Sequence, residues 1–305
     1  MTLFKNNGFF KETGISDKNE KKWEPVTATI LIADFLEKKL PFSVAVYAKC
    51  LQAIEEQKKK AVHAWILKEH GVIQGAVVQN GPTVYPVFDD IVEKVEKIER
   101  LKRNDFKKIR MDTPFHVFHG KARDVEILER YAAGFGLHPI EYIDYDFMVS
   151  AAVPPAQNLY AGPAGLIIRQ PGPSDINSLF PLQAGYEQEE VLTKHGKFDP
   201  AVCRMILERI VRHERILIAE LGGRVVGKIN TNAVTPSWFQ IGGVYVHPLY
   251  RERGIATRMT AVFVQGLLDE GKQVSLFVKK DKPIARNMYG KIGFKADGDY
   301  KISYF

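Results

Sequence analysis

Apolar residues recur along this chain in two rhythms, and the switches between them mark its elements. From Ala28 the apolar positions fall at helical spacing through Ile30, Leu31, Phe35 and Leu36, and again over residues 44–50, ending in a polar run at 55–60. That spacing predicts a helix pair. Residues 63–67 and 72–78 are β-type runs around a short polar turn, and read as a hairpin. Residues 83–88 predict a third strand, with Pro86 arguing for an edge or a bulge. A charged helix is expected at 90–110, a short strand at 115–118, a helix at 123–135 stopped by Gly134 and Gly136, and a strand at 141–150.

Residues 151–165 hold three prolines, two glycines and little rhythm, and read as a linker. A strand is expected at 166–169, then a helix capped by Ser174 that runs to about Leu192. Asp199 starts another, with Pro200 in its first turn. Residues 215–220 and 225–230 predict a hairpin, and 238–246 a central strand. A helix at 254–270, a strand at 274–278, a helix at 283–292 and a strand at 301–305 complete the order β-α-α-β-β-β-α-β-α-β. This is a mixed α/β (α+β) pattern. The two halves echo one another, which predicts a duplicated fold. The division is a polar N-terminal arm (1–25), a first domain (26–150), a linker (151–165) and a second domain (166–305).

The 305 residues suit two domains. With 45% apolar and 26% charged residues, the composition is that of a soluble globular protein. No apolar run reaches membrane-spanning length, and the N-terminus shows no export signal. Cys50 and Cys203 lie far apart without ligand spacing, so reduced thiols in a cytoplasm are expected. His116 and His119 lack the further ligands a metal would need, and no metal is expected. The net charge of +7 is uneven: residues 161–305 carry 20 Lys/Arg against 14 Asp/Glu, residues 1–160 23 against 22. With no nucleic-acid motif beside it, this excess fits a polyanionic cofactor and not a nucleic acid.

The second half also holds the most chemistry. Residues 244–257 read Val-Tyr-Val-His-Pro-Leu-Tyr-Arg-Glu-Arg-Gly-Ile-Ala-Thr. A β-run passes through a basic, Gly-containing turn into an amphipathic helix. That order gathers backbone N–H groups, a helix N-terminus and two guanidiniums around one small volume, which suits a pyrophosphate. Gly254 lets the backbone approach an oxygen closely. Residues 251–255 would point N–H groups inward, and Thr257 could add a hydroxyl. One strand and one helix later comes Tyr289.

Arg251, Gly254 and Ala256, with Tyr289 and Ile292-Gly293-Phe294 behind them, resemble the signature of the GNAT superfamily of acyl-CoA-dependent N-acyltransferases. The likeness is close over the last 140 residues and loose over the first 150. It implies two tandem GNAT folds, the first degenerate because it lacks a counterpart of residues 251–256. That first copy would shape the acceptor site or a homodimer contact.

The resemblance further implies an N-acetyltransferase. It would move acetyl from acetyl-CoA to a primary amine, on a small molecule or a peptide, directly in a ternary complex. Val244, Tyr245 and Val246 would pair with the pantetheine arm, with a bulge at Gly242-Gly243 and an amide near Val244 for the oxyanion. Arg251, Glu252, Arg253, Gly254, Ile255, Ala256 and Thr257 would hold the pyrophosphate, and Tyr289 would be the general acid. In place of the family's Asn near position 282, and often near 279, this chain has Lys. Lys282 and Arg286 are assigned to the cofactor's phosphates, though a solvated surface would explain them equally. Where many relatives have a Glu on the central strand, this chain has Gln240. The base therefore falls among Glu187, Glu189, Glu190 and His247, with Glu189 favoured. An aminoacyl-tRNA-dependent transferase and a non-catalytic acyl-CoA sensor are the alternatives.

Overall fold

A computed structural model describes residues 22–27, 30–56, 62–89, 115–155 and 157–305. The helix expected at 90–110 and most of the N-terminal arm lie outside these residues. The arm's end is a strand, β1 (Lys22–Thr27). Two helices follow, α1 (Ile30–Glu37) and α2 (Val44–Glu55), and then strands β2 (Val62–Glu69), β3 (Val72–Asn80), β4 (Thr83–Phe88) and β5 (Val117–Lys121). Helix α3 (Ala122–Ala133) and strand β6 (Glu141–Ser150) close the first half.

The second half runs β7 (Ile167–Arg169), α4 (Ile176–Tyr186), α5 (Pro200–His213), β8 (Ile216–Leu221), β9 (Arg224–Val234) and β10 (Trp238–Val246). Helix α6 (Ile255–Leu268), β11 (Gln273–Lys279), α7 (Pro283–Ile292) and β12 (Lys295–Tyr304) complete it. The start of α5 follows the expected cap: the Asp199 carboxylate accepts the N–H groups of Ala201 and Val202 at 2.8 and 3.2 Å. Helix α4 does not run straight to Leu192. Its last turn, Glu187–Val191, widens to a π-turn, closed by Leu192 N–H donating to Glu187 O at 2.8 Å.

The described strands form one twelve-stranded sheet in the order β1-β2-β3-β4-β5-β12-β6-β11-β10-β9-β8-β7. The two halves do not keep to their own strands. Strand β12, the end of the second half, lies between β5 and β6 of the first. Strand β6 in turn pairs with β11 of the second half. The two outer pairings at this joint, β5 with β12 and β6 with β11, are both antiparallel. Phe118 faces Ser303 as Val274 faces Ser150, and His119 faces Ile302 as Ser275 faces Val149. At this joint Tyr145, Phe147, Tyr300 and Ile302 are buried together. Neither half therefore completes the sheet alone.

Two strand pairs are parallel, and both part after a few residues. Strand β4 meets β5 only at Thr83 and Val84, and Pro86 comes just past the point of separation. Strand β10 meets β11 only at Trp238, Phe239 and Gln240. Beyond Gln240 the two strands diverge and leave a cleft. On one face of β10, Ile255, Met259, Phe263, Val264 and Leu267 of α6 bury an apolar stripe against Phe239 and Ile241. On the other face α4 and α5 pack Leu179, Leu182 and Leu207 around Ile218 and Tyr245.

Candidate active site

The cleft between β10 and β11 encloses about 390 Å³. Its walls include Gly242, Gly243 and Val244 of β10, Phe277 and Lys279 of β11, and Tyr289 of α7. A bulge shapes β10 here. Gly242 pairs with Asn230 and Tyr245 with Lys228, so Gly243 and Val244 have no partner on β9. Gly243 has φ of +59°, a conformation that suits glycine. The bulge expected at Gly242-Gly243 is present. Val244 lines the cleft, whereas Tyr245 and Val246 turn their side chains into the protein.

At the end of β10 the chain passes through a short turn, Pro248–Tyr250, capped by His247, whose Nδ1 accepts from Leu249 N–H at 3.3 Å. The loop then takes positive φ at Glu252 (+62°) and Gly254 (+76°), and α6 begins at Ile255. Six consecutive backbone N–H groups, from Glu252 to Thr257, meet no acceptor among the described residues. This run starts one residue later than expected, because Arg251 N–H donates to Pro248 O at 3.3 Å. Free amides at the positive end of a 14-residue helix form an anion cradle. A pocket of about 570 Å³ lies beside it, between Arg253, Gly254 and Thr257 on one side and Leu159, Ala161 and Gly162 of the linker on the other. The chemistry of this donor set fits a diphosphate. Arg253 stacks over Tyr250, 5.5 Å from the ring centre.

The assigned residues do not all gather in one place. Arg251 and Glu189 hold each other: Nη2 lies 2.8 and 3.1 Å from the two carboxylate oxygens. Arg251 Nε donates to Val246 O at 3.0 Å, and its guanidinium lies over Tyr245. Tyr245 Oη donates to Glu189 Oε1 at 2.6 Å. Burial works against a charge on Glu189, but the Tyr245 and Arg251 hydrogen bonds outweigh it and hold the carboxyl below its ordinary range. Glu189 thus serves the base of the loop and does not line the cleft. Its neighbour Glu190 does, with its carboxylate 3.1 Å from Lys282 and 3.3 Å from Lys279. Arg286 reaches across the joint to Asp146 of β6, at 3.0 Å.

Tyr289 is buried against the cleft, 9% exposed. Burial, with Tyr186 and Glu190 nearby, pushes its hydroxyl well above the ordinary phenol range, so it stays protonated. Tyr186, at the start of the 186–191 segment that was expected to border the acceptor cleft, lines it, and three residues that the sequence did not single out do so as well: Tyr145 of the first half, and Asn230 and Asn232 of the second. Lys228 was missed too. The signal for it was a lysine inside the otherwise apolar run Val225-Val-Gly-Lys-Ile. His119 is half-buried and bonded to Tyr300 Oη at 2.9 Å; desolvation lowers it to about 4, and it holds the joint as a neutral ring. Among the described residues no group of side chains could hold a metal ion, and no helix is long and apolar enough to cross a membrane.

Comparison with known proteins agrees with this geometry. Residues 180–294 match the model of the acetyltransferase (GNAT) family. No curated protein matches the chain. Among solved structures, a Drosophila protein is 12% identical with a TM-score of 0.62, covering 94% of this chain and 99% of its own. A GCN5-related N-acetyltransferase from Sphaerobacter thermophilus is 16% identical with a TM-score of 0.57, over 95% and 96% of the two chains. A tandem GNAT protein from the clavulanic acid biosynthesis pathway is 14% identical with a TM-score of 0.50, over 93% and 98%. At these identities the likeness is one of fold, and it extends over both halves.

Proposed function

Given that residues 180–294 form a domain of the acetyltransferase (GNAT) family, we propose that this protein is an N-acetyltransferase that moves acetyl from acetyl-CoA to a primary amine. One observation carries the reading: a helix N-terminus with six free amides, Glu252 to Thr257, opens beside a cleft where β10 and β11 have parted. The amides and Arg253 would hold the diphosphate of the donor, and the edge of β10 at Val244 would pair with its pantetheine arm. The donor supplies a thioester carbonyl, activated toward amines.

The acceptor enters from the side of Tyr145, Tyr186, Asn230 and Asn232. Its neutral nitrogen attacks the carbonyl carbon; a C–N bond forms and the C–S bond breaks. Tyr289 gives its proton to the departing thiolate. The proton lost by the amine leaves past Glu190, the carboxylate that lines the cleft, and Tyr289 is reprotonated from the same pool. Transfer is direct, a reading supported by Cys203, which is buried in α5 and does not line the cleft. The protein acts in the cytoplasm on a small-molecule or peptide amine.

A thermal-shift titration with acetyl-CoA, followed by an acceptor screen that detects free thiol, tests this. Binding that is lost in Gly254→Asp, with thiol release that depends on an amine, is expected. Absence of any shift at millimolar acetyl-CoA would remove the reading. Binding without thiol release from any amine would instead favour an acyl-CoA sensor.

A further inference from the structure

Lys228 of β9 is 1% exposed and lies beside the bulge of β10. Its Nζ donates to the carbonyl oxygen of Gly243 at 3.0 Å and to Asn230 Oδ1 at 3.1 Å, and sits 4.8 Å from the centre of the Tyr186 ring. The other groups facing it have duties elsewhere. Glu187 of the π-turn accepts from Gln183 at 2.9 Å, and Cys203 of α5 is a buried thiol. On the flanking strands its register partners are Tyr245, whose hydroxyl goes to Glu189, and Ile218. A lysine without a paired carboxylate in such a place is costly, and its one unusual partner is the bulge carbonyl.

The Gly243 carbonyl and the Val244 N–H belong to one planar trans peptide, so they point in opposite directions. Strands β9 and β11 flank β10 on opposite sides. A carbonyl held by Lys228 Nζ therefore leaves the Val244 N–H pointing away from the lysine, at a stretch of β10 that lines the gap where the strands have parted. Val244 stands in the bulge, without a register partner on β9. The glycine is part of the arrangement. A Cβ on Gly243 would fall 2.1 Å from Asn230 Oδ1 and 2.8 Å from Lys228 Nζ, so the lysine and asparagine occupy the space that a side chain would need.

We infer that Lys228 is a positioning residue: by holding the Gly243 carbonyl it aims the Val244 amide at the thioester carbonyl oxygen, as the donor that stabilises the charge developing there. The inference rests on the acetyltransferase reading. Lys228 itself touches no substrate. A hydrogen-bond donor behind the carbonyl also polarises the shared peptide, which makes its N–H a stronger donor in the transition state.

Lys228→Met tests this, since an unbranched apolar side chain of similar length suits the buried site. In the wild-type protein the Val244 amide proton resonance should move downfield on adding acetyl-CoA and not on adding CoA. In the variant that shift should vanish. Turnover with the amine found by the acceptor screen should fall on the order of tenfold to a thousandfold, with the acetyl-CoA Kd changed by less than about twofold. A folded variant with wild-type turnover would overturn the inference. So would the absence of the downfield shift in the wild-type protein, which needs no variant to fold. A wild-type protein that fails to bind acetyl-CoA at all sinks the acetyltransferase reading and this inference together. One that binds and turns over while matching its Met variant sinks this inference alone.

Discussion

Arg251 and Glu189, 62 positions apart, form a two-point ion pair with contacts of 2.8 and 3.1 Å at the root of the loop that leads into α6. Each had a separate role in view from the sequence, one toward the cofactor and one toward the amine. Together they do something else. Arg251 ties the loop to the end of β10 through Val246 O, and Glu189 holds Arg251 flat over Tyr245. The pair belongs to the loop's geometry.

Glu189→Gln should therefore leave turnover within about tenfold of wild type, where loss of a general base costs about 10²–10⁴-fold. Both partners are more than a third exposed, so the pair itself contributes only about 0–1 kcal/mol to stability. Arg251→Ala should raise the acetyl-CoA Kd, because the loop loses its anchor. Steady-state kinetics and calorimetric titration of both variants check this. A Glu189→Gln protein without detectable turnover would return the base to Glu189.

Tyr289→Phe should lower kcat by about 10²-fold and leave acetyl-CoA affinity unchanged. The hydroxyl faces the cleft and is held protonated by burial, so it can give a proton across the whole neutral range. No decline in rate below pH 10 should therefore belong to it. An unchanged kcat in the Phe variant would show that the thiolate leaves without help from this residue.

Lys228 sets a pH dependence of stability. Burial lowers it from 10.5 to about 7, against smaller opposing effects of Glu187 and Cys203. Between about pH 7 and 10 the unfolded chain then holds a proton that the folded chain has released, and stability rises with pH wherever the unfolded state binds more protons. The burden on the fold is full below pH 7 and is relieved as pH rises toward 10. Urea melts of wild type and Lys228→Met at pH 6 and pH 9 should show a gap that favours the Met variant at pH 6 and narrows at pH 9. A gap independent of pH would mean that Lys228 does not titrate in that window.

Exchange of β6 and β12 predicts that the second half does not stand alone. Residues 151–305 would carry β11 and β12 without the strand that lies between them. The uncovered edges of both strands would then seek partners. Expressed alone, this segment should be aggregated or dimeric and melt far below the full chain; light scattering and circular dichroism would read both. A stable monomer with a sharp melt would count against the interlock as a requirement for folding.

Much of this was legible in residue order, and the rest was not, for a physical reason. Hairpins, the Asp199 cap, the glycine bulge at 242–243 and the passage from strand through Gly254 into α6 are local events. Their causes lie within a few residues: side-chain rhythm, a capping carboxylate, a φ that glycine tolerates. The loop of free amides at the start of α6 is such an event, and residue order alone carried its course from strand to helix. Only the folded chain decided that β6 and β12 trade places, that Glu189 turns to Arg251 while Glu190 lines the cleft, that Tyr145 of the first half enters the site of the second, and that Lys228 lies behind the bulge. Each joins residues tens of positions apart. Strand partners are chosen by the whole sheet, and a π-turn of one residue's width decides which of two adjacent glutamates faces inward. Rhythm along the chain says that a residue is buried; what it is buried against is settled in three dimensions.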